Sequence, residues 1–402
     1  MDAPSLRFIE FSEEWSTKKL SEITSAIGDG LHSTPIYDDN GNYYFTNGSN
    51  IQHGKLKFDE NTKTINHEEF LKYRSKLSKN SILVSLNGAT WGRFGLYNGE
   101  PILLGKSLGY INVMDNISKN FLYYLLQTKK IRRFFESVTT GSTIKNLSLH
   151  TLRNTELKIP SLKEQEKIAD FYVLLNQKIQ LQQERIELLK DQKKGYMQKI
   201  FNRNLRFKDT NNNYYPMWKK LKFNNFLYKS NCKKVKTDDI DVSKLITVRL
   251  HGLGVIKNTN TSTLKLGSTI YYKRNAGDFI YGKQNFFNGA FGIIPVELEG
   301  FLSSNDIPTL KFDLSVINPI FFLEYIGRES FYKNCEKLAS GTGSKRIHEE
   351  TLLDMELELP SLNEQNKIAD FLLRINNKIN YEELKIQFLI SHKQALMQKM
   401  FI

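Results

Sequence analysis

The chain has 402 residues, of which 40% are hydrophobic and 12% aromatic, enough to form two or three separate cores. No apolar run approaches the length of a membrane span, and residues 1–11 contain no signal region, so we expect a soluble, cytoplasmic protein that contacts no membrane. Two distant cysteines and seven scattered histidines support neither a disulfide framework nor a metal site. The net charge of +14 indicates a polyanionic partner.

The chain begins with a short lead, residues 6–8 followed by Trp15, and continues into a body that ends near Leu157. The body is rich in Gly, Asn, Ser and Tyr, and short β-like runs at residues 82–84 and 110–113 lie between closely spaced turns. A helix-like stretch at residues 121–136 follows. This pattern predicts short strands within an α+β fold.

Residues 161–201 predict one long helix. Ser161 and Glu164 have the spacing of a capping box, in which each side chain satisfies a free backbone N–H at the helix start. Apolar residues then recur in alternating steps of four and three, the average of 3.5 that is typical of a coiled-coil seam. The predicted seam residues are Ile168, Tyr172, Leu175, Ile179, Ile186 and Leu189.

The same stretch recurs at residues 361–401 without insertion or deletion, and nearly half of its positions are identical. Its predicted seam residues are Ile368, Leu372, Ile375, Ile379, Ile386 and Leu389. The lead also recurs, as residues 205–207 followed by Trp218. We therefore expect two tandem repeats in four segments: a first body (1–157), a first spacer helix (158–203), a second body (204–357) and a second spacer helix (358–402). The two helices are expected to form an antiparallel coiled coil.

Each predicted seam also contains two polar positions, Gln182 with Lys193 and, in the second copy, Glu382 with Lys393. Polar residues buried in a seam lower stability and set register or orientation. Alternatively, these side chains lie near the helix edge and stay solvated. The sequence leaves both interpretations open.

The second body has β-like runs at residues 244–250 and 292–294 and a helix-like stretch at residues 320–336. Upstream of about residue 118, the two bodies share little sequence beyond the lead. A common frame with divergent bodies indicates two modules that perform one task on two different targets.

Three partial motifs for catalysis fail on inspection. Residues 99–107 have five residues between the glycines of a phosphate loop, where four are required, and their apolar interior predicts a strand. Residues 318–321 depart from the Asn-Pro-Pro-Tyr/Phe motif of amino-methyltransferases, and an Asn that caps a Pro-led helix explains them. Residues 156–158 form an isolated E-x-K without the acidic partner of a nuclease. We therefore expect no catalytic site.

Glycine-flexible polar loops are the candidate contacts to nucleic acid, since Arg, Lys, Asn and Gln read base edges while Ser, Thr and Lys hold phosphates. The candidates in the first body are Asp29, His32, Ser33, Thr34, Asn87, Thr90, Trp91, Arg93, Ser142 and Lys145. Those in the second body are Arg249, His251, Lys273, Arg274, Lys283, Gln284, Asn285, Ser344, Lys345 and Arg346. Taken singly, each loop also fits an ordinary turn with solvated side chains.

Two divergent bodies, each followed by a helix that begins Pro-x-x-x-Glu-Gln-x-x-Ile-Ala, resemble the specificity subunit of type I restriction-modification systems. The residues that carry the resemblance are Pro160, Glu164, Gln165, Ile168 and Ala169, with Pro360, Glu364, Gln365, Ile368 and Ala369. The resemblance covers the whole chain, and it is specific in the helices and weaker in the bodies. It implies that each body is a target recognition domain reading half of a bipartite double-stranded DNA site, and that the helices fix the spacing.

The resemblance also implies partners and cofactors. The chain would bind no cofactor and catalyse nothing. Two modification subunits would bring S-adenosylmethionine and methylate adenine N6, and two restriction subunits would use ATP and Mg. Two other classes stay open from the residues alone: a self-contained DNA methyltransferase or nuclease, and a coiled-coil scaffold that does not bind DNA.

Overall fold

The computed structural model describes residues 4–139, 145–236, 240–260, 269–341 and 343–401. It divides into two compact units, one made of Met1–Arg185 with Glu383–Ile402 and the other of Ile186–Glu382. Each long helix therefore contributes one part to each unit, and each unit combines one body with parts of both helices. The four-segment division proposed from sequence follows chain order alone and stays a prediction.

The chain mixes helices and strands, which confirms the α+β class. The α-helices are α1 His67–Tyr73, α2 Lys119–Leu126, α3 Lys129–Val138, α4 Leu149–Arg153, α5 Leu162–Phe201, α6 Pro319–Ile326, α7 Glu329–Asn334, α8 Glu349–Leu353 and α9 Leu362–Met400. The two long helices, α5 with 40 residues and α9 with 39, lie where the repeat predicts them.

The helix-like stretch at residues 121–136 is two helices instead of one, because α2 ends at Leu126 and α3 begins after Thr128. The Thr128 hydroxyl accepts a hydrogen bond from the backbone N–H of Ile131 and caps α3. The stretch at residues 320–336 is broken in the same way, between α6 and α7.

Both bodies are built from short strands. In the first body they are β1 Ser16–Lys19, β2 Thr24–Asp29, β3 Tyr43–Thr46, β4 Ile51–Gln52, β5 Lys55–Leu56, β6 Thr64–Ile65, β7 Ser81–Ser85, β8 Phe94–Leu96, β9 Ile102–Leu104, β10 Leu108–Val113 and β11 Glu156–Ile159. In the second body they are β12 Lys219–Lys222, β13 Leu227–Lys229, β14 Lys234–Val235, β15 Ile246–Val248, β16 Val255–Lys257, β17 Tyr271–Lys273, β18 Phe279–Tyr281, β19 Phe291–Ile293, β20 Leu302–Ser304, β21 Thr309–Phe312 and β22 Glu356–Leu359.

The main sheets of the two bodies have the same topology. The first is an antiparallel sheet in the order β2-β10-β7-β8, and the second is an antiparallel sheet in the order β13-β21-β18-β19. A strand of each lead also pairs with the strand just before the long helix, β1 with β11 and β12 with β22. The structural repeat therefore extends into the region where the sequences have diverged.

The remaining sheets differ between the bodies. In the first body, β3 pairs antiparallel with β6 and parallel with β9, and β4 and β5 form a hairpin. In the second body, β14, β17 and β20 form an antiparallel sheet, and β15 pairs with β16. The two bodies therefore share their main sheets and differ in the strands outside them.

Within each unit, parts of α5 and α9 run antiparallel. In the first unit the Tyr172 and Phe401 rings stack with centroids 5.7 Å apart, and Lys393 donates a hydrogen bond of 2.6 Å to Asn176. In the second unit the ring of Tyr196 meets that of Phe371 edge-on, 5.1 Å between centroids. Residue numbers rise along one helix as they fall along the other, which confirms the antiparallel pairing.

Candidate nucleic-acid interface

The start of α5 is fixed to the lead by a buried carboxylate. Glu164 is 1% exposed and accepts hydrogen bonds from Nε and Nη2 of Arg7, both 2.7 Å, and from Nε1 of Trp15 at 3.3 Å. The hydrogen bond with Glu164 raises the pKa of Arg7. The capping-box prediction was therefore wrong for this carboxylate, which binds the lead.

The neighbouring glutamine fixes the same helix end to the body. Gln165 accepts a 2.9 Å hydrogen bond from the backbone N–H of Ser118 and donates one of 2.9 Å to the carbonyl of Pro160. In the second unit, Gln365 accepts the equivalent 2.8 Å bond from the N–H of Asn318. The Glu-Gln pair of the repeated motif thus holds each body at a fixed angle to its helix.

The carboxylate of the second copy is held more loosely. Glu364 accepts a hydrogen bond from Trp218 at 3.2 Å, but its contact with Arg206 is 3.6 Å long. Arg206 instead donates to the carbonyl of Tyr215 at 2.6 Å, and its Nε has no partner among the described residues. Burial raises the pKa of Glu364, while the guanidinium of Arg206 opposes that shift.

The predicted seam residues all face the interior at least in part. Eight of them are less than 9% exposed: Ile168, Tyr172, Ile186, Leu189, Ile368, Leu372, Ile379 and Leu389. The other four are half-buried: Leu175, Ile179, Ile375 and Ile386. Gln182 and Glu382 are 8% and 4% exposed, so of the two interpretations of these polar positions the structure favours burial.

The second unit surrounds Lys193 with a polar network. Its ammonium lies 2.8 and 3.0 Å from the two carboxylate oxygens of Glu324, and Asn376 donates a 2.8 Å hydrogen bond to the same carboxylate. These side chains lie between the body and the helices of this unit. The charge of the half-buried lysine is therefore compensated.

The first unit has a related network at the equivalent positions, in which no carboxylate of the described residues takes part. Lys393 donates to Asn176, and Asn176 donates a 2.8 Å hydrogen bond to the hydroxyl of Tyr124, which stands where the second unit has Glu324. Burial lowers the pKa of Lys393 and raises that of Tyr124 to about 12. The two polar networks thus use equivalent positions but differ in charge and in the group that contacts the lysine.

The candidate residues of the first body lie mainly on two loops. At the end of β2, His32 lies 2.8 Å from the carboxylate of Asp29, and Ser33 and Thr34 beside them are exposed. These groups are free to meet a ligand from solvent. Ser142 lies outside the described residues.

The second loop of the first body follows β7. Asn87 is half-buried, and the hydroxyl of Thr90 lies 2.8 Å from that of Ser85. Trp91 is only 7% exposed, and the ammonium of Lys145 lies 5.0 Å from the centre of its ring. Arg93 is exposed and donates a 3.3 Å hydrogen bond to the carbonyl of Ile51. This loop brings two separate sequence candidates, Trp91 and Lys145, together.

Five exposed candidates of the second body lie beside strands β15, β17 and β18. Arg249 and His251 lie between β15 and β16, where His251 has a left-handed backbone with φ of 59°. Lys273 ends β17, and Gln284 and Asn285 follow β18.

Two candidates of the second body lie in its interior. Arg274 is 5% exposed, and its guanidinium donates to Ser303, Thr309 and the carbonyls of Ser304 and Ile307. Lys283 is 7% exposed and lies 3.5 Å from a carboxylate oxygen of Glu349. Because Arg274 uses its donors within the fold and Lys283 is buried beside an acid, we leave both out of the proposed interface.

The last three candidates precede α8. Ser344 is exposed, Lys345 forms a 2.6 Å ion pair with Glu336, and Arg346 forms a 3.2 Å pair with Asp306. Exposed pairs of this kind contribute little to stability, so both cations can exchange their carboxylate for a phosphate.

Sequence reasoning missed one basic surface, at the start of α3. Lys129, Lys130, Arg132 and Arg133 are all exposed there. The signal was present, because four cations within five residues mark a basic cluster. The helical pattern of residues 121–136 predicts the element but does not by itself indicate this basic surface.

Comparison with known proteins agrees with this architecture. The family model of the type I restriction modification DNA specificity domain matches residues 12–191. The MjaVIII specificity subunit of Methanocaldococcus jannaschii is 24% identical over 353 residues, covering 82% of this chain and 80% of that protein.

Two solved structures have a similar fold. The S subunit of a type I restriction-modification system from M. genitalium has a TM-score of 0.59 at 16% identity, covering 100% of this chain and 99% of that one. A chain from a structure of type I R-M complex assembly has a TM-score of 0.52 at 15% identity, covering 96% and 97%.

The fold is therefore similar to that of the solved S subunit, with two bodies and two long helices. The chain is similar in sequence to type I restriction enzyme specificity subunits, and its residues 12–191 match the DNA specificity domain of that family. Specificity subunits are generally non-catalytic, and they act with DNA and with other subunits of the restriction-modification system. Among the described residues, no helix has the length and apolarity to cross a membrane, and no group of acidic, His or Cys side chains could hold a metal ion.

Proposed function

We propose that this chain reads a bipartite double-stranded DNA site, one half with each body. The observation that carries the proposal is the common topology of the two main sheets beneath strands and loops that differ. A common sheet can hold different loops in the same position, and different loops allow two modules to recognise different sequences. The net charge of +14 supports a partner rich in phosphates.

The spacer helices set the distance between the half-sites in this proposal. At 1.5 Å per residue, helices of this length extend roughly 55–60 Å. Major-groove readers held at a fixed separation contact half-sites about one helical turn apart, near 10–10.5 bp. The target is then two short defined sequences on either side of a spacer of constant length.

The helices also dock the modification subunits. In the first unit, Leu174, Leu181, Leu384 and Phe388 are each about two thirds exposed, although they lie on well-formed helices. Exposed apolar side chains that recur along a helix mark a protein interaction site. Leu174 and Leu181 are seven residues apart and so lie on one face of α5.

The chemistry belongs to the partners. Two modification subunits supply S-adenosylmethionine and methylate adenine N6, and two restriction subunits use ATP and Mg. A self-contained methyltransferase or nuclease would act on DNA alone, so the pure chain incubated with DNA and labelled cofactor should transfer no methyl group and cut no strand. Product in either assay would contradict the proposal.

The test of site reading is a methylome. Exchanging residues 15–157 for the first body of another specificity subunit should change one half of the methylated sequence and keep the other half and the spacer. A change in both halves, or in neither, would overturn the assignment. A scaffold unrelated to DNA is tested by filter binding of the pure chain, whose affinity for duplex DNA should fall steeply between about 50 and 200 mM salt.

A further inference from the structure

The first turn of α3 concentrates positive charge where a helix disfavours it. Lys129, Lys130, Arg132 and Arg133 lie at the end of the helix where free backbone N–H groups already carry partial positive charge. Among the described residues, Arg132 forms an exposed pair of 3.2 Å with Glu136, and the other three cations form no ion pair. Such an arrangement opposes folding unless an anion relieves it.

A cleft of about 560 Å³ lies between this helix, the β4–β5 hairpin and the loop after β7. Arg93 and Arg132 line it together with Gln52, His53 and Gln127, and no acidic residue does. Trp91 also lines it, more than nine-tenths buried, and its Nε1 has no acceptor among the described residues. Among the described residues, the lining therefore combines two arginines with polar side chains and contains no acidic residue, although Arg132 also pairs with Glu136 outside it.

A second cleft, of about 470 Å³, adjoins the same helix. Lys129, Lys130 and Arg133 line it with the capping Thr128, and Met397 and Gln398 of α9 form its other side. All of these residues belong to the first unit. The cations of α3 thus line two clefts beside the same helix.

The second body has no counterpart at the equivalent helix. Positions 329, 330 and 332 on α7 are Glu, Ser and Tyr, and Glu329 forms an ion pair with Lys333 one turn later. The two helices follow the same turn in the repeat, so the difference lies in side chains and not in topology.

We infer that the first body holds consecutive phosphates of the DNA backbone on this surface. Arg93 and Arg132 bind one phosphate in the larger cleft, and Lys129, Lys130 and Arg133 bind its neighbours. Arg132 exchanges Glu136 for the phosphate, which costs little because that pair is exposed. This inference rests on the proposed DNA binding. It adds that the first body contacts DNA phosphates through α3, while the second body makes no such contact through α7.

The experiment measures binding of the full chain to a labelled random-sequence duplex as a function of salt concentration. Each phosphate contact contributes about −0.9 to the slope of log K against log salt. Arg132→Ala should reduce the slope by up to about 0.9, and the change of all four α3 cations to Ala by about 3–4. Arg132→Lys should keep most of the slope.

The matched control is Lys333→Ala on α7, which should leave the slope unchanged. Thermal unfolding of each variant shows that the fold persists. If the unaltered chain does not bind DNA, the proposed function itself fails. If it binds and the α3 variants keep its slope, the present inference fails while the function stands. Loss of modification-subunit binding with unchanged DNA binding would assign the surface to a protein partner and also overturn the inference.

Discussion

The two units differ most clearly in the side chains that surround Lys193 and Lys393. Both lysines are half-buried, but Lys193 contacts the carboxylate of Glu324 while Lys393 donates to Asn176, and Tyr124 stands in the first unit where the second has Glu324. Loss of the carboxylate would leave the Lys193 ammonium with an uncompensated charge, whereas Lys393 has no charged partner among the described residues to lose.

We expect Glu324→Gln to destabilise the full chain by about 1–3 kcal/mol, because it leaves the Lys193 charge without its partner. Adding Lys193→Met should recover part of the loss. Tyr124→Phe, the matched change in the first unit, removes one neutral hydrogen bond and should cost about 1 kcal/mol. Denaturant unfolding measures all three, and equal losses for Glu324→Gln and Tyr124→Phe would contradict the assigned difference in charge.

The buried glutamate at the start of α9, Glu364, should make the stability of the chain depend on pH. The folded pKa of Glu364 lies above its unfolded value of about 4.5, so the folded state binds more protons, and this group's contribution to stability falls as pH rises through that window. Glu364→Gln should remove that loss. The free energy of unfolding at pH 4.5 and at pH 7, measured for the native chain and for Glu364→Gln, tests this prediction. An equal change with pH in both proteins would refute it.

Glu164→Gln is the comparison in the first copy. It breaks the two charged hydrogen bonds with Arg7 and should destabilise the chain by roughly 1–3 kcal/mol at neutral pH.

At the level of elements, the long helices were predictable and the bodies were not. A hydrophobic period of 3.5 residues over about forty positions keeps one stripe of a helix against a partner helix. The seam residues of α5 and α9 could therefore be predicted from the sequence. The strand order of the bodies depends on pairing between distant residues, such as Thr24–Asp29 with Leu108–Val113, which local patterns do not encode.

The candidate site divides in the same way. Exposed loop residues such as His32 and Arg93 could be proposed from composition, but the burial of Arg274 depends on Ser303 and Ser304, far along the chain. The break at Thr128 was missed because its side chain caps a helix within a run that sequence pattern alone treats as continuous.

Neighbouring positions on α5 should separate folding from docking. Ile179→Asp, on the half-buried seam, places a charge against apolar side chains and should cost several kcal/mol of stability. Leu181→Asp, two residues away and 66% exposed, should leave the melting temperature nearly unchanged and weaken binding of the modification subunit.

Melting and co-purification with the modification subunit measure the two effects. The same outcome for both variants would show that the seam and the exposed face have been assigned incorrectly. Ile379→Asp on α9 should behave like Ile179→Asp, because Ile379 is buried.

At the level of the whole molecule, the division into two units falls within the helices, after Arg185 and after Glu382. The repeat places its buried polar positions, Gln182 and Glu382, close to that division. If the helices set the distance between the two half-sites, as proposed, the target should respond to a change of helix length at this place.

Inserting about four residues after Gln182 and after Glu382 approximately preserves the helical face and lengthens each helix by about 6 Å. We expect the methylated target to keep both half-sites and to gain spacer base pairs, since each base pair advances the duplex by about 3.4 Å. A methylome with the original spacer, or native chains that methylate sites with varied spacers, would show that the helices do not set the distance.

Met400 and Phe401 lie in the core of the first unit, against Phe121 and Tyr172. During synthesis the ribosome delivers the first body more than two hundred residues before those side chains emerge. At about 5–20 residues per second, that body waits ten seconds or more with part of its core missing. The second body, whose core is closed by Ile200 and Phe201 from upstream, has no such delay. The unit whose body is made first is therefore completed last, and a nascent chain interrupted before Met400 leaves the core of that unit incomplete.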